Sequence, residues 1–386
     1  MYIIFVIVKL CFKNIIIIFV LMKNLINHLN AIENEIYELI LNGHPINVEH
    51  ALYLYEKASP TVCMILASEK RKQLYGNKVF YNKNIHVEVT NICTKKCKFC
   101  SFYREEGDTD SWELGEEEVL NSINEKIGEG ITEVHFTGGL NPRRNLKFFT
   151  NLFHKIRIMY PNLHIKAFTA VEIEFFSQME KISIVEVLNE LKISGMNSLA
   201  GGGAEILNDN IRNKVCPGKT RSEKWLEIHQ TAHILGIKSN CTMLYGHIET
   251  YADRILHMQK LIELQSKTGG FNCFIPLKYK IYGNNIGIKK EATLIEELKN
   301  YAVSRLFVTN IPHLKAYWPM TGIDTAILAV NFGADDIDGT IFESTKIYSM
   351  AGAVNKPVMT ELQIREKIIF AGFEPMERDS EYNIKN

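Results

Sequence analysis

The chain has 386 residues, of which 46% are hydrophobic and 23% are charged, so it can bury the core of one large domain or two ordinary ones. Its 44 basic residues balance its 44 acidic residues, and no net charge favours a nucleic acid or an anionic membrane as a partner. Eight cysteines are too few for a disulfide scaffold, which indicates a reducing, cytoplasmic location.

Residues 1–21 form a doubtful apolar extension, because Lys9 and Lys13 interrupt it. A Lys at the centre of a membrane helix costs about 3 kcal/mol, whereas each Ile or Phe gains only about 0.5 kcal/mol. The segment also lacks the small-residue cleavage site of a secretory signal. We therefore expect the natural start at Met22, with a membrane anchor as the alternative, and we expect no membrane requirement.

Residues 22–83 are predicted to form a helical N-terminal segment. Ile36 and Ile40 lie on one face of a first helix. A second helical run follows Pro45, and Asn47 has the residue type and position of its N-cap.

Residues 84–320 alternate between strand and helix patterns. The predicted strands are 84–91, 131–139, 163–173, 195–205, 236–246 and 269–279. The predicted helices are 116–130, 145–161, 183–193, 222–235, 251–266 and 291–308. Because parallel strands need helix-length crossovers, these repeats predict a parallel sheet.

Polar or glycine-rich residues close every one of these predicted strands. In a barrel such ends meet at one mouth, whereas in an open sheet the site lies at a single switch point. We therefore predict an α/β fold with a partial or complete (β/α) barrel in residues 84–320. Residues 321–386 are predicted to be a C-terminal extension that packs on the barrel, with a closing helix and a strand-like tail at 360–379.

Cys93, Cys97 and Cys100 are spaced C-x3-C-x2-C directly after the first predicted strand of the barrel. Lysines lie between them, which does not fit a buried apolar segment. Structural zinc and a four-cysteine electron-transfer cluster both need a fourth ligand, for which His86 is a candidate in the zinc case. Three thiolates on a four-iron cluster leave one iron open to another ligand, and the spacing suits this chemistry best.

The cysteine triplet resembles the signature of the radical S-adenosylmethionine (SAM) enzymes, C-x3-C-x-aromatic-C, with Phe99 as the aromatic residue. The resemblance implies a [4Fe–4S] cluster whose open iron binds SAM, with Phe99 beside the cofactor. It also implies a low-potential reductant such as flavodoxin or ferredoxin, and a 5′-deoxyadenosyl radical as the reactive species. Gly138 and Gly139 match the glycine-rich element of this family, where the backbone approaches the methionine amino group; Leu140 replaces the usual acidic residue.

Further stretches resemble the aminofutalosine synthases of the futalosine route to menaquinone, over about residues 30–375. They include "GGGAEI", "NKVCPGKT" and "NIPHLKAYWPMTG". The cyclic dehypoxanthine futalosine synthases are a sister family that typically has Trp after "FIP" and lacks "CPGK". This chain has Leu277 and the "CPGK" segment at 216–219, which favours the first family. Asn141 stands where we expect His, so the resemblance implies no imidazole there.

The resemblance implies a specific reaction on a small molecule. The adenosyl radical adds to the enolpyruvyl double bond of 3-[(1-carboxyvinyl)oxy]benzoate; the aryl group then moves, a carboxylate is lost and aminofutalosine forms. The sister enzymes instead abstract a hydrogen atom and cyclise their substrate. The non-enzymatic alternative is an iron–sulfur scaffold or electron carrier, which needs a fourth cluster ligand and no SAM.

Several polar residues are candidates for this chemistry. Glu172 ends the third predicted strand and Glu205 follows a triple glycine, and both are candidates to bind SAM. An acidic residue at a helix start is the alternative reading of each. The two substrate carboxylates need cationic or donor groups. The candidates for them are Arg212, Lys214, Lys219 and His247; His247 and Tyr245 are also the candidates for a catalytic role.

Overall fold

The computed structural model describes residues 26–343, 350 and 358–385. The predictions for residues 1–21 and for a start at Met22 therefore lie outside the described residues. Within the described ranges, no helix is both long enough and apolar enough to cross a membrane.

Three helices open the described chain: α1 Ala31–Leu41, α2 Val48–Glu56 and α3 Pro60–Tyr75. The predicted cap Asn47 accepts a hydrogen bond of 2.8 Å from His50 N, which satisfies a free amide at the start of α2. The helical prediction for residues 22–83 is wrong at its end, where Lys78–Asn82 forms a strand, β1. Its sequence "KVFYN" has the β-branched and aromatic residues that favour strands.

The strand–helix alternation follows directly. Its strands are β2 Asn84–Glu88, β3 Glu133–Thr137, β4 His164–Ala167, β5 Ser198–Leu199, β6 Lys238–Tyr245, β7 Phe271–Lys278 and β8 His313–Leu314. Its helices are α4 Glu116–Ile127, α5 Leu146–Met159, α6 Ala170–Glu180, α7 Ile184–Ile193, α8 Asp209–Val215, α9 Ser222–Ile234, α10 Tyr251–Thr268 and α11 Leu294–Phe307. The chain ends with α12 Trp318–Thr321, α13 Ile323–Val330, β9 Asp336–Gly339, β10 Phe342–Glu343, α14 Glu361–Phe370 and β11 Glu374–Glu377.

Eight strands form one parallel sheet in the order β10-β2-β3-β4-β5-β6-β7-β8. The two edges of this sheet meet through the C-terminal part of the chain. Lys315, directly after β8, pairs with Asp336, and Phe342 of β10 pairs with Ile85 of β2. The segment 336–343 therefore spans the gap between β8 and β2. The predicted partial or complete (β/α) barrel is confirmed as a curled parallel sheet, and residues 336–343 of the predicted C-terminal extension link its two edges.

A second, three-stranded parallel sheet has the order β11-β1-β9. The Arg378 guanidinium, directly after β11, donates to the Asp336 carboxylate of β9, and both side chains are buried. The first and last strands of the described chain therefore pack beside the closing edge of the barrel.

The predicted strand at 163–173 is wrong in its second half. β4 ends at Ala167, and α6 begins at Ala170 with a capping box in which Thr169 N donates to Glu172 Oε2 at 3.0 Å. The sequence "TAVE" is the Thr-x-x-Glu signature of that box, so Glu172 lies in the first turn of a helix and not at a strand end. The predicted strand at 195–205 is also too long, because only Ser198–Leu199 is paired.

Candidate functional site

The three cysteines lie in an irregular segment, residues 91–104, which we call the cysteine loop. Backbone hydrogen bonds hold it in place: Cys93 N donates to Arg104 O and Cys100 N donates to Cys97 O, each at 3.1 Å. Lys98 N donates to the carbonyl at the end of α8 at 2.8 Å. The thiol positions are therefore set by main-chain contacts, while all three side chains stay partly accessible.

Gly138 and Gly139 follow β3 and lie directly against the start of the cysteine loop. A Cβ at Gly138 would be 2.9 Å from Thr90 O, and a Cβ at Gly139 would be 2.2 Å from Ile92 O. Gly139 N also donates to Thr90 O at 2.7 Å. The protein's own backbone therefore excludes side chains at both positions. Their contact with the methionine part of SAM stays a prediction.

The donor set of the cysteine loop fits an iron–sulfur cluster. Among the described residues, no three His, Cys, Asp or Glu side chains converge as ligands of a single metal ion. A four-iron cluster differs from such a site because each thiolate binds a separate iron. Burial raises the pKa of the Cys97 thiol to about 12, but the Lys219 ammonium acts in the opposite direction and favours the thiolate that a metal needs.

Lys219 and Glu205 form a buried ion pair beside the cysteine loop, with Nζ 2.6 Å from Oε1. Nζ also lies 5.3 Å from the centre of the Phe99 ring. Burial alone lowers the pKa of Lys219, but the Glu205 carboxylate together with Cys97 and Cys216 outweighs it and the net shift is upward, so this lysine is charged. The structure thus brings together Phe99 and Glu205, which were predicted to bind SAM, and Lys219, which was predicted to bind the substrate.

A cavity of about 320 Å³ lies inside the barrel beside the cysteine loop. Phe99 and Cys100 form part of its wall, and Leu244, Ile275 and Leu277 from β6 and β7 form an apolar part. This volume is in the range of about 300–1,000 Å³ that is typical of small-molecule sites. The carboxyl ends of the strands and the cysteine loop therefore enclose a space for one organic substrate.

A second part of the cavity wall is charged or polar, and we call it the polar belt. Its members are His86, Glu133, His135, Lys166, Lys315 and Asp338. Lys166 Nζ lies 2.6 Å from Glu133 Oε2, and Lys315 Nζ lies 2.8 Å from Asp338 Oδ2. Five of these six residues were not among the candidates predicted from the sequence, and His86 was a candidate only as a zinc ligand.

The signal for the polar belt is present in the sequence as an alternation within β3. Glu133 and His135 alternate with Val134 and Phe136, and successive strand residues point to opposite faces. Such alternation is usually read as a strand with one face in water. In this barrel the polar face instead points into the cavity.

Three of the predicted substrate or catalytic residues lie away from the cavity wall as the structure describes it. Arg212 is buried, and its guanidinium donates to the carbonyls of Ala204 and Thr220, so it holds the turn after β5. Tyr245 is buried on the outer face of β6, where the Arg254 guanidinium lies 5.1 Å from its ring centre. Lys214 is exposed on α8.

His247 and Glu172 also have structural partners of their own. His247 Nε2 lies 3.1 Å from Leu244 O, and its Nδ1 lies 3.1 Å from Glu249 Oε2. Burial lowers the pKa of His247, which favours the neutral imidazole. Glu172 caps α6, and burial raises the pKa of its carboxyl group. The ligand-binding roles given to these residues stay predictions.

Comparison with known proteins gives two matching family profiles. The profile described as the radical SAM superfamily matches residues 87–261. The profile described as the CofH/MqnC C-terminal region matches residues 268–386.

Curated relatives match over nearly the whole chain. The aminodeoxyfutalosine synthase of Thermus thermophilus is 38% identical over 90% of this chain and 94% of that protein. A 5-amino-6-(D-ribitylamino)uracil–L-tyrosine 4-hydroxyphenyl transferase of Methanoculleus marisnigri is 36% identical over 86% of this chain and 92% of that protein. The cyclic dehypoxanthine futalosine synthase of Streptomyces coelicolor is 34% identical over 88% of this chain and 86% of that protein.

Among solved structures, methylornithine synthase superposes with a TM-score of 0.72 at 16% identity and covers 88% of this chain and 97% of its own. At that identity the likeness concerns the fold alone. The cysteine loop, the barrel and the relatives lead to one conclusion. The chain belongs to the radical SAM superfamily, in the group that shares the CofH/MqnC C-terminal region, and is an enzyme that uses a [4Fe–4S] cluster and SAM.

Proposed function

We propose that the chain is an aminofutalosine synthase. The reaction joins C5′ of the adenosyl group of SAM to the methylene carbon of 3-[(1-carboxyvinyl)oxy]benzoate and moves the aryl group from oxygen to carbon. The carboxylate then leaves as carbon dioxide, and the ketyl radical that remains gives one electron back to the cluster and becomes the ketone of aminofutalosine; methionine is the other product. SAM is therefore a consumed substrate, and the class of reaction is a transfer of the adenosyl group to an enolpyruvyl ether.

The observation that carries this proposal is the position of Leu277. It lies in the apolar wall of the cavity, at the place where the sister family typically has a Trp. A Leu at that position leaves room that a Trp side chain would fill. The second distinguishing segment, "CPGK" at 216–219, ends in Lys219, whose ammonium pairs with Glu205 in the same cavity wall. The relative with the name aminodeoxyfutalosine synthase also has a higher identity, 38% against 34% for the sister enzyme.

The residues of this chain bind the substrate and keep its reacting carbon in place. For a radical addition the alkene must lie within about 3–3.5 Å of the radical carbon, so a rigid wall on both sides of the substrate is required. Leu244, Ile275 and Leu277 supply an apolar surface for the aryl ring, and they exclude water from it. Phe99 and Cys100 place the cluster-binding loop at the same cavity.

A [4Fe–4S] cluster held by the cysteine loop would, in its reduced form, supply the electron for cleavage of SAM to methionine and a 5′-deoxyadenosyl radical. Cys93, Cys97 and Cys100 are the residues that hold it. Because each turnover begins with an electron at low potential, the proposal includes a reductant such as flavodoxin or ferredoxin as partner.

The test is an anaerobic product assay. The chain is reconstituted with iron and sulfide and mixed with SAM, dithionite and 3-[(1-carboxyvinyl)oxy]benzoate, and the products are identified by mass. An adenosyl–substrate adduct that lacks one carboxylate is the expected result. Formation of 5′-deoxyadenosine and methionine alone would contradict the proposed substrate. Turnover of dehypoxanthine futalosine instead would assign the chain to the sister activity.

A further inference from the structure

Three lysines at the cysteine loop do not line the cavity inside the barrel. Lys98 is exposed, and its main-chain N donates to Val215 O at 2.8 Å, at the end of α8. The neighbouring residue of that helix is Lys214, which is also exposed. Lys95 precedes Lys98 in the same loop and is partly exposed. We call Lys95, Lys98 and Lys214 the basic rim.

A second cavity, of about 240 Å³, lies next to the basic rim. Its wall consists of Lys95, residues 218–221, Leu140 and one face of α6 that includes Phe175. Because the helices of a (β/α) barrel pack outside its sheet, this cavity lies on the exterior of the barrel. Leu140 and Phe175 make part of its wall apolar, so it can receive a side chain of a protein partner.

The positive charge of the basic rim is not cancelled by neighbouring acidic residues. None of its three lysines forms an ion pair within the described residues, and carboxylates nearby have other partners. These pairs are Glu105 with Lys96, Glu106 with Arg143, Asp110 with Arg104 and Asp209 with Arg221. The wall of the second cavity adds the carboxylate of Glu174. Three lysines against this carboxylate leave an excess of positive charge.

The basic rim lies beside the predicted cluster ligand Cys97. The Cys97 thiol is close enough to Lys219 and Cys216 for both to act on its pKa. Cys216 is buried, whereas Pro217 and Gly218 are exposed, and a Cβ at Gly218 would meet no atom within 4 Å. The turn at 216–219 therefore forms a thin layer between Cys97 and the exterior, and the basic rim borders this layer.

We propose that the basic rim is the docking face for an acidic electron-transfer protein. This inference rests on the proposed function, which requires a low-potential reductant, and it adds the surface at which that reductant binds. One electron passes from the reduced cofactor of the partner to a cluster held by the cysteine loop. The partner is oxidised by one electron as the cluster is reduced by one, and the oxidised partner then dissociates.

Two physical requirements favour this face. In the proposed function the cavity inside the barrel holds the substrate, so a protein donor must approach the cysteine loop from outside. Electron-transfer complexes are transient and bury little area, so complementary charge steers their encounter and sets their orientation. The basic rim supplies such charge close to Cys97, and an acidic surface is its complement.

The test measures equilibrium binding of an acidic flavodoxin to the reconstituted holoenzyme at low ionic strength. The double change Lys98→Glu with Lys214→Glu is expected to weaken this binding about tenfold or more, because like charges then face each other. At high salt the difference from the unaltered protein should disappear, because dissolved ions screen exposed charges. Iron content and product formation with dithionite should not change, because dithionite needs no docking face.

Two control variants separate the docking face from net charge and from side-chain shape. Lys267→Glu reverses an exposed charge at the end of α10, directly before β7, and therefore at the amino ends of the strands. It should leave the dissociation constant nearly unchanged. The double change Lys98→Arg with Lys214→Arg keeps both charges and should retain the affinity of the unaltered protein.

Three results would overturn the inference: no binding of flavodoxin to the unaltered holoenzyme, unchanged binding in the double Glu variant, or equal weakening by Lys267→Glu. Failure of the proposed function is distinguishable, because it appears in the product assay with dithionite and the unaltered protein. Selective loss of flavodoxin binding without aminofutalosine formation would support the docking face and reject the reaction.

Discussion

The cysteine loop and the polar belt lie along one cavity but are built in opposite ways. The cysteine loop is irregular, and its three ligand residues lie within eight positions of the sequence. Main-chain hydrogen bonds and two glycines hold it in place. The polar belt consists of side chains from regular strands that are distant in sequence, from His86 to Asp338, and the register of the sheet brings them together.

This difference separates what a short segment predicts from what the fold alone shows. The local spacing of three thiols is enough to predict the cofactor. The side chains of the cavity wall come from strands spread over the length of the molecule, and only the folded sheet brings them together. The following changes affect these two regions, the wall between them and the scaffold that carries both.

The largest effect is expected from loss of a cluster ligand. Cys97→Ala removes one of the three thiolates, so bound iron and all turnover should be lost after reconstitution. Iron content and the visible absorbance of the cluster measure this. The matched control is Cys63→Ala, which alters a buried cysteine between N-terminal helices. It should lower thermal stability but retain iron, and loss of iron in that variant would contradict the assignment.

Gly139→Ala tests whether backbone packing holds the cysteine loop. The new Cβ would lie 2.2 Å from Ile92 O, so the loop must move. We expect a loss of about 1–3 kcal/mol in the free energy of unfolding and a clear drop in cluster occupancy. Gly128→Ala is the control, because no atom lies within 4 Å of its Cβ position and its φ is −65°. Equal iron content in the two variants would show that the loop adapts.

Leu277→Trp tests the wall between the two regions. The larger side chain enters the cavity beside Leu244 and Ile275, where the aryl ring of the proposed substrate packs. We expect kcat/KM for 3-[(1-carboxyvinyl)oxy]benzoate to fall roughly ten- to a hundredfold with little change in iron content. Leu362→Trp, at a residue that is 65% exposed on α14, serves as the control. Unchanged kinetics in Leu277→Trp would remove the observation that carries the proposed function.

The smallest effect concerns a scaffold residue that touches neither region. His257 Nδ1 accepts from Leu207 N and its Nε2 donates to Thr242 O, each at 3.0 Å, and burial lowers its pKa to about 3. The unfolded chain takes up this proton below about pH 6.5 and the folded chain does not, so stability falls on acidification. When the pH falls from 8 to 5, this histidine should therefore lower the free energy of unfolding by about 2 kcal/mol.

Chemical denaturation at the two pH values measures this slope. His257→Gln keeps a donor and an acceptor without a titrating ring, and it should flatten the pH dependence. His154→Gln changes an exposed histidine and should not. An unchanged slope in His257→Gln would show that other groups cause the acid sensitivity.

The fold was predictable from the sequence where local signals mark each element. The predicted starts of α4, α9 and α10 at residues 116, 222 and 251 agree with the structure, because the helical periodicity begins sharply at each of them. The end of β4 was predicted too late. Thr169 and Glu172 form the capping box of the new helix, but the apolar residues between them also suit a strand. The short strands β5, β8, β9 and β10 have too few residues to show a period.

In the candidate site too, residues marked by a local sequence signal were predicted, whereas residues brought together only by the fold were not. Cys93, Cys97 and Cys100 were predicted as cluster ligands from their spacing and the resemblance it carries, and the comparisons support the family to which that spacing belongs. Arg212 was chosen as a cationic residue in a motif-like segment, yet its guanidinium holds backbone carbonyls. Lys166 and His135 were missed because a charged residue in a strand is normally expected to face water. Only strand register and barrel closure show that they face the cavity.

The closing segment 336–343 also has a consequence for protein synthesis. A nascent chain that ends before residue 343 lacks β10, the strand that pairs with β2. Its partly made barrel leaves the edges of β2 and β8 with unpaired main-chain groups, which attract other strands. Premature termination before residue 343 should therefore produce aggregating chains and not a shortened enzyme. The ribosome must complete nearly the whole polypeptide before the wall around the cysteines can close.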